Sequence, residues 1–199
     1  MNLPNIMIIG LAGNSGAGKS TVREAFQDRG FTVVDCDNSA RKVADDPAFL
    51  RELDNRFPKK LINPDGTLNR AATADIIFND SEMRELYNRI IFPYIIYDVI
   101  TEIKSVDGDV LLDAPTLFEA GLDIICTAIV SVTAEPEFCR ERICRRDKLT
   151  EEQAKARLSS QHSAEFFKAH SDFTIENNDT KERLFERAYD VIDRLKGIK

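Results

Sequence analysis

Gly13-Asn14-Ser15-Gly16-Ala17-Gly18-Lys19-Ser20, with Thr21 after it, follows the apolar run Ile6-Met7-Ile8-Ile9 and opens a helical pattern from Lys19 to about Arg29. A strand, a glycine-rich turn and a helix in that order, with G-x-x-x-x-G-K-[ST] at the turn, predict a phosphate-binding loop. Each residue type has its reason. Glycine permits the backbone conformations that turn successive N–H groups inward, toward phosphate oxygens. The helix opening at Lys19 adds its own amides and the positive end of its dipole. Lys19 can reach the β- and γ-phosphates of a nucleoside triphosphate, and Ser20 can offer its hydroxyl to Mg²⁺. At this composition, chance would place the four fixed residues in about 0.2% of chains of this length. Gly13, Asn14, Ser15, Gly16, Ala17, Gly18, Lys19, Ser20 and Thr21 are the candidate donor-binding residues, and Ser20 is the candidate metal ligand.

Outward from the loop, Gly30 stops the first helix and Phe31-Thr32-Val33-Val34 reads as the next strand. Val110-Leu111-Leu112, Ala128-Ile129-Val130-Ser131-Val132 and Phe173-Thr174-Ile175 are similar short runs. Runs without a polar face, separated by helices, predict an α/β fold: a doubly wound, five-stranded parallel sheet covered on both sides. Two stretches exceed plain strand–helix alternation. Residues 47–106 read as a helical insertion on the C-terminal rim of the sheet, broken by a turn at Asn63-Pro64-Asp65-Gly66. Residues 140–163 read as a helical, arginine-rich lid. The expected division is a core of residues 1–46 and 107–199, with a substrate-binding insertion at 47–106. Open α/β sheets bind ligands at that rim.

The 199 residues, 43% apolar and 31% charged, suffice for one globular core with such an insertion. The charge sum of 27 basic against 34 acidic residues, −7 net, argues against a general nucleic-acid binder. The longest apolar stretches, such as residues 124–130, fall far short of the roughly 20 residues that span a bilayer. The N-terminus has no basic region before an apolar run. A soluble, cytoplasmic protein without a membrane partner is expected. Cys36, Cys126, Cys139 and Cys144 form no C-x-x-C pair, and His162 and His170 lie far from the first two, so free thiols rather than a zinc site are expected. No pattern in the chain sets an oligomeric state.

What is done with the phosphate follows from what accompanies the loop. There is no N-K-x-D guanine reader, and Val110-Leu111-Leu112-Asp113 is followed by Ala114-Pro115, where a motor ATPase would carry a catalytic Glu. A small-molecule kinase needs a base near the acceptor hydroxyl and a basic cover. Val34-Asp35-Cys36-Asp37 sets two carboxylates at the end of the second strand. Asp37 can accept the hydroxyl proton, or it can cap the helix that follows; Asp35 can orient a metal-bound water, or cap. Arg41 lies one turn after Asp37 on the same helical face. Seven basic and four acidic residues between 140 and 157 make a cationic patch in an acidic chain, which would steer a polyanion. Arg142 and Arg146 share one face and can clamp a transferring phosphoryl group; the alternative is a solvated, salt-bridged helix.

Together these motifs resemble the dephospho-coenzyme A kinase family. The resemblance runs from Gly10-Leu11-Ala12-Gly13 through Thr21 to Asp35-Cys36-Asp37. It continues through Pro115-Thr116-Leu117-Phe118-Glu119, the lid from Arg142 to Asp147 with Arg157 to Gln161, and Asp172-Phe173-Thr174-Ile175-Glu176-Asn177. It implies a P-loop kinase using ATP and Mg²⁺ to phosphorylate the 3′-hydroxyl of dephospho-CoA. Asp37 would be the general base, Lys19, Arg142 and Arg146 catalytic, and Asn177 near the adenine. Asp35, Arg41, Phe92 and Phe118 would lie toward the substrate. The chain departs from the family at Phe57-Pro58, Asn69-Arg70 and Phe92-Pro93, where Phe92 stands in place of a histidine and offers a ring that can stack on a base. Two other classes fit the loop: another small-molecule P-loop kinase for a nucleoside or nucleotide, and a nucleotide-binding regulatory switch.

Overall fold

The computed structural model describes residues 6–197. The strands are β1 (Ile8–Gly13), β2 (Thr32–Asp35), β3 (Val110–Asp113), β4 (Ala128–Thr133) and β5 (Phe173–Glu176). The helices are α1 (Lys19–Asp28), α2 (Cys36–Val43), α3 (Pro47–Arg56), α4 (Arg70–Asn79), α5 (Ser81–Lys104), α6 (Pro136–Asp147), α7 (Glu151–Ser159), α8 (Ala164–Ala169) and α9 (Lys181–Gly197). The chain forms two compact units, one made of the part up to Val34 and from Val106 on, the other of Asp35–Ser105.

The first unit holds the sheet, in the order β2-β3-β1-β4-β5 and all parallel. Every residue of β1 is buried, as a strand at the centre of a doubly wound sheet must be. Its pairing is longer than its apolar run. The sequence predicts a strand over residues 6–9, whereas the ladder to β4 continues through Ala12↔Ser131 and Gly13↔Val132, to the edge of the phosphate loop. Glycine makes this close approach possible: a Cβ at Gly13 would stand 2.1 Å from the Val132 carbonyl oxygen. Under the sheet, Val22 and Phe26 of α1 and Ala188 and Ile192 of α9 pack with Leu11 and Val130 into one core. The fold of this unit thus follows from patterning, with β1 at the point where the strand order reverses. Its C-terminal end is the ligand crevice of such sheets.

The second unit is helical, as its sequence predicts, and Asn63-Pro64-Asp65-Gly66 forms the expected turn. There Asp65 accepts from the Thr67 N–H at 3.0 Å, and the turn closes a bridge between Ile62 and Leu68. The unit begins at Asp35, whereas sequence patterning places the boundary at 47. The reason is that α2 buries Cys36, Ser39 and Val43 on one face, and its Lys42 pairs with Asp98 and Glu102 of α5 at 3.4 and 3.2 Å. Phe49 is fully buried and meets Tyr87 and Tyr94 edge-on at 6.2 and 5.7 Å. Burial pushes the Tyr87 hydroxyl up to about 12. Removing the Phe49 ring would leave a void between these partners. Phe49→Ala is expected to lower stability by about 3–5 kcal/mol, measurable as the shift of the urea midpoint at constant slope.

Candidate active site

The loop after β1 is built on three glycines with positive φ, at Gly13 (134°), Gly16 (77°) and Gly18 (109°). Gly18 is the N-cap of α1, with no side chain capping the helix and no acidic residue in its first turn. The positive end of α1 is therefore neither capped by a side chain nor offset by a local carboxylate, the condition an anion site requires. Thr21 lies inside the helix, its N–H donating to the Gly18 carbonyl at 3.0 Å. Ser20 is exposed at the helix start. The Lys19 ammonium donates to the Gly13 carbonyl at 2.6 Å and to the Asn14 carbonyl at 3.3 Å, folding its side chain back across the loop.

Behind the loop stands Asn177, 6% exposed, whose amide donates to the Ala17 carbonyl at 2.7 Å. A Cβ at Gly18 would stand 2.4 Å from that amide nitrogen, so loop and asparagine are fitted to one another. The resemblance implies a place near the adenine; in the structure one N–H of this amide holds the loop. Asn177→Leu would leave the Ala17 carbonyl unpaired in a buried place. It is expected to cost about 1–3 kcal/mol and to weaken nucleotide binding at the same time, read by melting with and without ATP.

The lid segment reaches both the loop and Asn177. Arg142 of α6 donates to the Gly16 carbonyl and to the Asn177 carbonyl, both at 3.2 Å, with its guanidinium over the Phe138 ring at 5.7 Å. Arg146, one turn on, instead forks onto its neighbour Asp147 at 2.7 and 2.9 Å, and Arg157 of α7 joins the same carboxylate at 2.8 Å. The Arg146 fork, with Arg157 beside it, holds the Asp147 carboxyl below the usual range. Arg142 is thus brought to the loop, and Arg146 is held by a carboxylate beside it. Sequence reasoning singled out both arginines but not Gln161 as a loop contact. Its side chain bonds Ser15 twice, and Asn14 donates to the adjacent His162 carbonyl at 2.8 Å.

In the second unit, Asp35 is the N-cap of α2 and accepts from the N–H groups of Asp37 and Asn38 at 2.9 and 3.3 Å. The cap is Asp35, so the Asp37 carboxylate, exposed in the first turn, is not consumed by capping. Arg41 donates to the Asn38 side chain at 2.9 Å. Phe92 is half-buried in α5, directly before the in-helix Pro93.

Comparison with known proteins decides which phosphate chemistry this loop serves. The family model for dephospho-CoA kinase matches residues 7–182. The chain belongs to the dephospho-CoA kinase family. A dephospho-CoA kinase of Fusobacterium nucleatum is 36% identical over 185 residues, covering 92% of this chain and 95% of that protein. Among solved structures, a crystal structure from Thermus thermophilus superposes with a TM-score of 0.82 at 28% identity, covering 95% of this chain and 97% of that one. A dephospho-CoA kinase from Campylobacter jejuni gives 0.69 at 25% identity, covering 96% and 98%.

Two more placements bear on how this member of the dephospho-CoA kinase family is built. Phe118 follows β3 and packs edge-on against Phe166 at 5.2 Å, in a group with Phe167 and His170. Glu119 beside it lies 3.3 Å from His162. Asp113 ends β3 opposite Leu11 of β1 and pairs with Arg23 of α1 at 3.2 Å. Hard oxygen donors of this kind, the Ser20 hydroxyl and the Asp113 carboxylate, suit Mg²⁺. Among the described residues, no three His, Cys, Asp or Glu side chains converge on a metal position. Burial pushes the Cys126 thiol up to about 12. No helix among the described residues is long and apolar enough to cross a membrane.

Proposed function

We propose that the chain transfers the γ-phosphoryl group of ATP to the 3′-hydroxyl of dephospho-CoA, giving ADP and CoA, the last step of coenzyme A biosynthesis. The observation that carries this reading is the loop of residues 13–20, with an uncapped helix start and a lysine folded across it, in a chain of this family. The loop amides and Lys19 hold the donor phosphates in place. Ser20 and Asp113 are the residues that would hold Mg²⁺, which when bound neutralises charge on the β- and γ-phosphates. Asp37 accepts the proton of the acceptor hydroxyl, late in a loose transfer.

Arg142 and Arg146 offset the charge that spreads over the phosphoryl oxygens, Arg146 after exchanging Asp147 for the phosphate. Placement of the reactants supplies most of the rate. Toward the acceptor, Asp35 and Arg41 frame Asp37, while Phe92 and Phe118 give apolar faces to the CoA moiety. The helical unit of residues 35–105 serves as the acceptor-binding part, and residues 140–163 serve as the lid. The reading is of a cytoplasmic enzyme acting on small molecules, with neither nucleic acid nor membrane as partner.

The test is ADP release in a coupled assay with dephospho-CoA and with a panel of nucleosides, nucleotides and sugars. Rapid release with dephospho-CoA alone is expected. Preference for another acceptor would reassign the enzyme to a different small-molecule kinase. Slow, acceptor-independent hydrolysis would make it a switch.

A further inference from the structure

The phosphate loop and the segment after α7 are fastened at three points. Gln161 Oε1 accepts from the Ser15 N–H at 2.9 Å, Gln161 Nε2 donates to Ser15 Oγ at 3.0 Å, and Asn14 Nδ2 donates to the His162 carbonyl at 2.8 Å. One side-chain amide thus spends both its acceptor and its donor on a single loop residue, which fixes direction as well as distance. That residue is at a particular end of the loop. The Lys19 ammonium, the group that reaches β- and γ-phosphates, lies on the carbonyls of Gly13 and Asn14. Residues 13–15 therefore form the terminal-phosphate end. On its other flank the loop is gripped through the Gly16 carbonyl by Arg142 of α6. Arg142, midway along α6, and Gln161 with His162, just after α7, thus hold this stretch to the loop, and their holds fall on the consecutive loop residues Asn14, Ser15 and Gly16.

We infer that Gln161 is a positioning residue for phosphoryl transfer: through Ser15 it locks the lid segment in register with the terminal-phosphate end of the loop. The inference rests on the kinase reading above. With the lock in place, Arg142 and Arg146 are set at a fixed reach from the γ-phosphate and water is kept off it. Without the lock the lid can still close, but out of register, and ATP is lost to water.

The test is Gln161→Leu, comparable in volume and unable to make either bond. Four quantities are read: kcat, KM for dephospho-CoA, the ratio of ADP released to CoA formed, and the equilibrium preference for ATP over ADP. The expected result is kcat lower by about tenfold with KM for dephospho-CoA within about twofold. The ADP:CoA ratio should rise above unity, and the preference for ATP over ADP should fall about fivefold. A purely structural residue would lower the melting point without moving the last two quantities. Should Gln161→Leu melt early, Ser15→Ala removes only the Oγ bond and is expected to move the same quantities in the same direction by about threefold. A folded variant with unit ADP:CoA ratio, unchanged kcat and unchanged nucleotide preference overturns the inference. Wild-type protein that makes no CoA overturns the kinase reading instead, and the nucleotide-binding comparison still decides the role of Gln161.

Discussion

Lys19→Ala is expected to lower kcat/KM by on the order of a thousandfold or more, and to weaken ATP binding at least about tenfold. The ammonium is the cation built into the loop itself, held over the carbonyls of Gly13 and Asn14 by bonds of 2.6 and 3.3 Å. Both carbonyls are weak partners compared with a phosphate oxygen. The negative charge that the ammonium offsets grows as the phosphoryl group departs. Lys19 is not part of the buried core under the sheet, so the melting point should stay near that of the parent. Lys19→Arg is the informative control. Its planar fork cannot take the place of a compact ammonium in a turn this tight, and it should rescue little. Turnover near the parental rate in Lys19→Ala would remove the donor site from this loop.

Asp37→Asn is expected to reduce turnover by roughly two orders of magnitude, with the KM of each substrate almost unchanged. The substitution keeps the shape of the side chain and leaves the cap of α2 intact, because the cap is made by the Asp35 carboxylate to the backbone of Asp37 and Asn38. What it removes is the negative charge in the first helical turn, worth about 0.3–1 kcal/mol of stability, and the ability to take a proton. A large kinetic effect on a well-folded protein would separate the two uses of the carboxylate. Undiminished turnover would leave Asp37 as a helix-start residue and nothing more.

What was legible in the sequence divides by distance along the chain. The phosphate loop, the five strands and the turn at Asn63 to Gly66 are all written in contiguous residues, where glycine, β-branching and spacing act locally. The loop's supports are not. Asn177 meets Ala17 across 160 residues, Gln161 meets Ser15 across 146 and Arg142 meets Gly16 across 126. An asparagine after a strand and a glutamine after a helix carry no local sign of such a partner. The same reason accounts for the boundary of the second unit. The short α2 owes its membership to contacts with α5, more than fifty residues later; its buried face is periodic, but nothing in it names the partner. The four-residue spacing of Arg142 and Arg146 predicts a shared helical face. In the structure Asp147, immediately after Arg146, holds one of the two.

The three loop glycines are each pressed by something other than phosphate: the Val132 carbonyl behind Gly13, the Cys139 backbone beside Gly16, and Asn177 against Gly18. Ala17, between the last two, is fully enclosed. An engineer wishing to retune this enzyme for a modified nucleotide donor therefore has little freedom in the turn itself. Substitutions at those four positions must displace backbone or buried side chains, while those at Asn14 and Ser15 change the contacts to Gln161 and His162.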